Sequence, residues 1–395
     1  MAIESNSSSE SGSGSPFNRN ASGSGTFPSS QLRTVVPPFL LERIAESASS
    51  GRGQGVVADH ASSSAARTLA IDRQLARGRS PLRSTVRASS AAAAEGPVRS
   101  IHDAQNRDAL PGRLVRSEGE PASGDVSVDE AYDGLGTTFA FFREVYGYES
   151  LDGKGLPLSA TVHFDRDYDN AFWDGERMVF GDGDGEVFGR FTASLSVIAH
   201  ELTHGFTQYT SALEYFGQAG ALNESLSDVF GVLVEQYSSK QDAKTASWLV
   251  GEGLFLPAVE GRALRSMIDP GTAYDDDILG RDPQPKDMDG YVETTADNGG
   301  VHINSSIPNR AFASAARALG GPAWDRAGQV WFDVATDSSL PSTVDFEGFA
   351  AATVSAAVTR YGAESDVHRA VAAGWATVGV VVDAQEPAES STRRV

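Results

Sequence analysis

The chain is 395 residues long, 40% hydrophobic and 22% charged, enough for one large or two ordinary globular domains. Its net charge of −21 argues against nucleic acid or an anionic membrane as the main partner, and no apolar run approaches the roughly 18–20 residues of a membrane helix. With no cysteine, disulfides and thiolate metal sites are excluded, so any metal must be held by histidine and carboxylate.

In chain order, residues 1–30 are rich in Ser, Gly and Asn and carry too few apolar groups to offset chain entropy; they are expected to be a disordered tail. The start "MAIESNSSSESGSGS" lacks a basic segment followed by an apolar one. The expected location is therefore the cytoplasm, or outside the cell by a route other than a classical signal peptide. Residues 31–97 begin with "LRTVVPPFLLERIAES", where a Pro-Pro step leads into a short amphipathic helix with Leu40, Leu41 and Ile44 on one side. Residues 48–98 read as low complexity, with Ser/Ala tracts and Arg67, Arg73, Arg77, Arg79, Arg83 and Arg87. Such a segment, exposed and unstructured, is where a protease would nick the chain.

Ordered sequence is expected from Val98 to Val382, with 383–395 a frayed tail. Residues 98–190 alternate short β-like runs with turns: "PGRLVRSEGE", "SATVHFDRDYDN" and "ERMVFGDGDGEVFGRF". One helix interrupts them, opened by a capping-box pattern at Ser127 and Glu130 and continued by Ala131, Tyr132, Leu135, Phe139 and Phe142. From Thr192 the period becomes helical. Leu195, Ile198, Leu202, Phe206 and Tyr209 form one stripe, and Leu222, Leu226, Val229, Phe230 and Leu233 another. Further helices are predicted at 307–319, 344–360 and 366–376. The class is α+β: a β-rich lobe over 98–209 closed by the first long helix, then a helical lobe over 210–382, with a cleft between them.

"HELTH" puts His200 and His204 one helical turn apart, so both imidazoles leave one face and can share an ion. Zinc accepts imidazole nitrogen. Glu201, about 100° further round the helix, can face a water on the ion as general base. Two histidines leave the coordination incomplete. Glu224, on the next helix, is the best candidate for a third ligand, and Asp228, one turn on, can accept from the far ring nitrogen of His200. The connection containing Gly217 and Gly220 lets the chain reverse between the two helices.

At these residues the sequence resembles the thermolysin-like zinc metallopeptidases, within them the protealysin-like branch with a short propeptide. The motifs are "NAFWDGERMVFGDGDG" (170–185), "HELTH", "GALNESLSD" (220–228), "ALRSMIDP" (263–270) and "DNGGVHINS" (297–305), in family order. The resemblance implies a two-lobed fold and a zymogen. It also implies hydrolysis of internal peptide bonds on the amino side of bulky apolar residues. By it, His200, His204 and Glu224 are zinc ligands, Glu201 the base and Asp228 the orienting carboxylate. His302 and Tyr215 donate to the oxyanion, and Asp297 holds His302. Arg265 binds a substrate carbonyl, Asn170 and Ala171 line an edge strand that pairs with peptide, and Phe188, Phe191, Val197 and Leu264 line the specificity pocket. "GDGDG" (181–185) has some likeness to a calcium loop but reads as a tight strand turn instead. Of the paired calcium site found in many relatives, Glu235 and Glu252 are kept, while Ser196, Ser247 and Leu249 fill other ligand positions, so this calcium site is predicted absent. "VVPPFLLERIAE" (35–46) resembles the short propeptide. It is expected to act as an intramolecular inhibitor, with Pro-Pro in the cleft resisting hydrolysis and cleavage falling within about residues 65–98. A narrow-specificity processing protease and a non-catalytic peptide-binding module are the alternatives on the same fold.

Overall fold

The computed structural model describes residues 32–48, 56–78 and 96–382. The expected tails at 1–30 and 383–395 lie outside these residues.

A mixed six-stranded sheet forms the N-terminal region. Its strands are β1 (Arg33–Thr34), β2 (Arg99–Arg107), β3 (Arg113–Ser117), β4 (Leu158–Phe164), β5 (Ala171–Trp173) and β6 (Met178–Phe180), in the order β1-β5-β6-β4-β2-β3. The strand β1 comes from the N-terminal segment and adds antiparallel to β5, with Arg33 opposite Trp173 and Thr34 opposite Phe172. Pro37 and Pro38 end that extended run. Pro38 opens α1 (Pro38–Ser47), where a missing N–H costs nothing, and the Pro37 carbonyl accepts from Leu40 and Leu41.

A second helix, α2 (Val56–Gly78), follows where the sequence was read as unstructured. Its Ala58, Ala61, Ala65 and Leu69 are buried at helical spacing, and Ile71 and Leu75 pack with Leu32 against Phe164, Tyr168 and Phe172 of the sheet. Alanine is the best helix former and its small side chain allows close packing against α1, so an Ala/Ser tract that resembles a linker is here a docked helix. The cleavage region expected at about 65–98 therefore begins inside this helix. Residues 79–95 lie outside the described residues.

Helix α3 (Val126–Tyr146) is capped by Asp125, which accepts from the Ser127 and Val128 amides at 3.0 and 3.3 Å, and not by a Ser127–Glu130 box. Glu130 instead receives Arg190 at 2.7 and 2.6 Å. The helical region contains α4 (Leu195–Tyr209), α5 (Gly217–Ser238), α6 (Asp297–Asn304), α7 (Ser306–Leu319), α8 (Ala327–Ala335), α9 (Phe346–Tyr361) and α10 (Asp366–Thr377). The helices predicted at 307–319, 344–360 and 366–376 are α7, α9 and α10; α8 had no prediction.

Aromatic packing fixes α4 and α5 against α3. Phe142 of α3 lies 5.0 Å from Phe206 of α4 and 5.5 Å from Phe230 of α5, ring centre to ring centre. The two helices cross at Gly231, where an added Cβ would come within 2.6 Å of the Ser196 carbonyl oxygen and 3.2 Å of the His200 amide. That glycine costs helix propensity and gains close approach. α5 starts at Gly217, so the turn after α4 is shorter than the sequence reading had it, and Gly220 is helical.

Candidate metal centre and cleft

Three side chains with unsatisfied nitrogen or oxygen atoms meet between α4 and α5. The free ligand atoms of His200, His204 and Glu224 all lie within 4.8 Å of one another, in a buried setting. His200 Nε2 is 3.5 Å from Glu224 Oε2, and His204 Nε2 is 3.4 Å from Glu224 Oε1. Ligands bound tetrahedrally to zinc at 2.0–2.1 Å stand about 3.4 Å apart, so the spacing suits that ion. His200 Nε2, His204 Nε2 and Glu224 Oε2 are buried without a hydrogen-bond partner, which a native interior rarely tolerates unless an ion or water completes them. Among the described residues this is the one such cluster of three.

The far ring nitrogens are held. His200 Nδ1 donates to Asp228 Oδ1 at 2.8 Å, and His204 Nδ1 meets Asn223 Oδ1 at 2.9 Å and Ser227 Oγ at 3.0 Å. These contacts turn both Nε2 atoms toward Glu224. Asp228 also receives Nε and Nη2 of Arg265, each at 2.8 Å, and Asn309 Nδ2 at 2.8 Å. Burial opposes its ionisation, but the Arg265 guanidinium and His200 hold its carboxyl well below the usual carboxylate range. Arg265 stands on a short strand, β8 (Arg265–Ser266), paired with β7 (Leu249–Val250). Asn223, Ser227 and Asn309 had no role in the sequence reading. The available signal was that Asn223 and Ser227 are four residues apart, on one helix face.

Glu201 is fully buried on α4. Burial, and next the charge of Glu224, pushes its carboxyl well above the ordinary range, while Arg265 opposes the shift. A left-handed turn precedes His302: Asp297, Asn298, Gly299 and Gly300 have φ of 50°, 52°, 85° and 75°. The glycines tolerate this backbone, and a Cβ on Gly299 would come within 2.9 Å of the Gly217 amide. The turn aims Asp297 back at His302, accepting from its Nδ1 at 2.6 Å and its amide at 2.9 Å. Burial works against protonation of His302, but Asp297 and Glu224 raise it to about 9, so both ring nitrogens donate. The Tyr215 hydroxyl donates to Glu224 and lies 3.3 Å from His302 Nε2.

The N-terminal segment crosses this site. His302 Nε2 donates to the Thr34 carbonyl at 2.9 Å. The Val35 amide donates to the Ala171 carbonyl at 3.1 Å, and Arg265 Nη1 donates to the Val35 carbonyl at 2.9 Å. Asn170 brackets Val36, accepting from its amide at 2.9 Å and donating to its carbonyl at 3.2 Å. Arg33 donates to the His204 carbonyl at 3.1 Å, with its guanidinium 5.6 Å from the Tyr215 ring centre. Pro37 and Pro38 lie beyond these contacts. Pro-Pro was expected in the cleft; the residues that hydrogen-bond to His302, Ala171, Arg265 and Asn170 are Thr34, Val35 and Val36, which precede it. Val35 shares one apolar cluster with Phe188, Phe191, Val197 and Leu264, all buried. α2 adds to the cleft from outside, through Asp72, which accepts from the Tyr168 hydroxyl at 2.5 Å and Asn170 Nδ2 at 3.2 Å.

A histidine pair and a glutamate on crossing helices, with a peptide strand laid along the adjacent sheet edge, define a metallopeptidase. The profile for the thermolysin metallopeptidase catalytic domain matches residues 71–208 and that for its alpha-helical domain residues 211–380; the chain belongs to this family and is a metalloendopeptidase. It is 55% identical over 284 residues to the extracellular metalloprotease of Pectobacterium carotovorum subsp. carotovorum, covering 72% of this chain and 81% of that one. It is 49% identical over 290 residues to protease PrtS of a Photorhabdus species, covering 73% and 78%. Among solved structures it is similar to the precursor of protealysin from Serratia proteamaculans, with a TM-score of 0.79 and 48% identity over 88% of this chain and 100% of that one.

Proposed function

We propose that the protein is a zinc-dependent neutral endopeptidase, made as an autoinhibited precursor, that cuts on the amino side of bulky apolar residues. The observation that carries this reading is the convergence of His200, His204 and Glu224 beside an extended segment whose Thr34 carbonyl meets His302. His200, His204 and Glu224 would hold zinc, which would supply a Lewis acid for the scissile carbonyl and lower the pKa of water. Glu201, next to His200 on α4, takes a proton from water and passes it to the leaving amine. His302 and Tyr215 donate to the developing oxyanion, with Asp297 keeping His302 charged. Asn170, Ala171 and Arg265 hold the backbone of the residues that follow the cut, as they hold Val35 and Val36. Phe188, Phe191, Val197 and Leu264 form the apolar pocket for the first of them. Asp228 keeps His200 turned to the ion. The N-terminal segment, with Thr34–Val36 in the cleft and α1 and α2 behind it, is the inhibitor, since the same contacts cannot serve the segment and a substrate together.

The test is casein hydrolysis by matured protein, with a chelator and with zinc added back. Activity that survives chelation, or a Glu201→Ala variant as active as the parent, removes the reading.

The paired calcium site is absent on this reading. Ser196 Oγ already accepts from the Gly251 amide at 3.2 Å and meets Ser194 Oγ at 3.1 Å, and burial raises the Glu235 carboxyl above its usual range. Two tightly bound calcium ions by titration calorimetry would overturn this.

A further inference from the structure

The segment in the cleft runs in the register of a peptide about to be cut. Reading from its amino side, the Thr34 carbonyl faces His302, the next amide donates to Ala171, the next carbonyl takes Arg265, and Asn170 brackets the residue after that. Those are the contacts proposed above for a substrate, in the same order, and they place one bond, Thr34–Val35, beside His302, whose Nε2 lies 3.6 Å from Glu224 Oε2. Val35 is fully buried in the apolar cluster that contains the proposed pocket residues.

Neither proline nor a reversed chain direction protects this bond. A proline at the leaving nitrogen would lack the N–H that meets Ala171 and would restrict the backbone, but Pro37 and Pro38 stand two and three residues downstream of Val35. A chain running in the opposite sense would put a carbonyl where Ala171 needs an amide, and here it does not. Resting on the peptidase reading above, we propose that the precursor cuts its own Thr34–Val35 bond in cis. The cut frees residues 1–34 before the α1–α2 segment is removed.

The step balances as a hydrolysis. Water oxygen bonds the Thr34 carbonyl carbon and the bond to the Val35 nitrogen breaks. Glu201 relays the two protons of that water in turn to the nitrogen, leaving a Thr34 carboxylate and a Val35 ammonium. The two products differ in what holds them. The amino-side piece keeps the Arg33–His204 contact, the Thr34–His302 contact and a two-residue strand. The carboxyl-side piece keeps Asn170 and Arg265, and through α2 the paired bonds of Arg67 to Asp165 at 2.9 and 2.7 Å and of Ser64 to Asp169 at 2.6 Å. The nicked protein therefore loses its N-terminal extension and still carries the segment that fills the cleft beyond the cut.

The experiment uses the full-length chain, purified metal-free, then given zinc and followed by intact mass and N-terminal sequencing at two protein concentrations. The expected result is a chain beginning at Val35 and a 1–34 fragment, formed at a rate unchanged by tenfold dilution and lost in Glu201→Gln. Val35→Leu is cut as the parent is, and Val35→Asp at least tenfold more slowly. A readout independent of hydrolysis is amide exchange in the metal-free chain: Val35 and Val36 amides are protected in this register. Fast exchange at both overturns the inference, as does a rate that falls tenfold on dilution. An intact Thr34–Val35 bond in protein that hydrolyses casein refutes the inference alone. Failure to cut either casein or its own chain refutes the peptidase reading and the inference together.

Discussion

Replacing Asp228 with Asn tests whether the buried network behind the metal cluster is electrostatic or merely space-filling. The carboxylate is fully buried and receives four donors: His200 Nδ1 and Arg265 Nη2 on Oδ1, and Arg265 Nε and Asn309 Nδ2 on Oδ2. An amide has one accepting oxygen, so either orientation sets its NH2 against two of these donors. Arg265, only 2% exposed, also loses its counter-charge. Leaving a buried charge uncompensated costs about 3–5 kcal/mol. At roughly 2–4 °C per kcal/mol for a domain of this order, Tm falls by about 6–10 °C at the cautious end. Loss of the carboxylate behind His200 should weaken zinc about 10- to 100-fold. Because the folded-state carboxyl is held below its ordinary value, its contribution is fully present above about pH 4 and is lost as pH falls further. The gap between parent and variant should therefore narrow on acidification. Calorimetric unfolding of the metal-free chain between pH 3 and 7, with a zinc competition titration at pH 7, measures each part. A variant within about 1 kcal/mol of the parent at pH 7, with unchanged zinc affinity, refutes the reasoning.

Three further outcomes are expected. Burial pushes the Asp72 carboxyl up to about 7 despite hydrogen bonds from Tyr168 and Asn170, so docking of α2 should loosen as pH climbs from about 4 to 7 and level off above; amide exchange in α2 should lose that slope in Asp72→Asn. Gly231→Ala should force α4 and α5 apart at their crossing, lowering Tm and zinc affinity together, since its Cβ meets backbone that no side-chain rotation can relieve; an unchanged zinc affinity counts against the close crossing. The Asp182 hydrogen bond holds His163 at about 9 against burial, with Asp125 adding to it, so its stabilisation is full below about pH 6.5 and fades as pH rises through 9. Thermal unfolding of His163→Gln should show a shallower decline over that window than the parent.

The metal cluster was legible because its spacing is local: four residues on one helix fix the relation of His200 to His204 whatever the rest of the chain does. The periodic helices were legible for the same reason, as α7, α9 and α10 show. What escaped depends on long-range contact. The Ala/Ser run of α2 has a composition shared by linkers and by tightly packed helices, and only the docking of Ile71 and Leu75 onto Phe164 and Tyr168 decides between them. Asp125 displaced Ser127 as the cap of α3 because Glu130, which a capping box requires, is drawn to Arg190, sixty residues along. The Pro-Pro step was expected to be the part of the segment in the cleft because proline resists hydrolysis. The pairing of β1 with β5, which sets the register, involves two residues with no pattern of their own.

Arg265 joins the two halves of the site in a way that no single contact would. Its Nε and Nη2 grip Asp228, which holds His200, while its Nη1 reaches the Val35 carbonyl. The guanidinium is planar and spreads three donors in fixed directions; a lysine ammonium, a single flexible point charge, could not grip a carboxylate by two bonds and a peptide by a third. The residue that reads the peptide is thus the one that steadies the carboxylate behind a metal ligand. Any free energy by which a filled cleft tightens that ligand set must appear in equal measure as tighter docking of the N-terminal segment on the metal-loaded protein. Where that free energy is favourable, the metal-loaded precursor holds its N-terminal segment more firmly than the metal-free one.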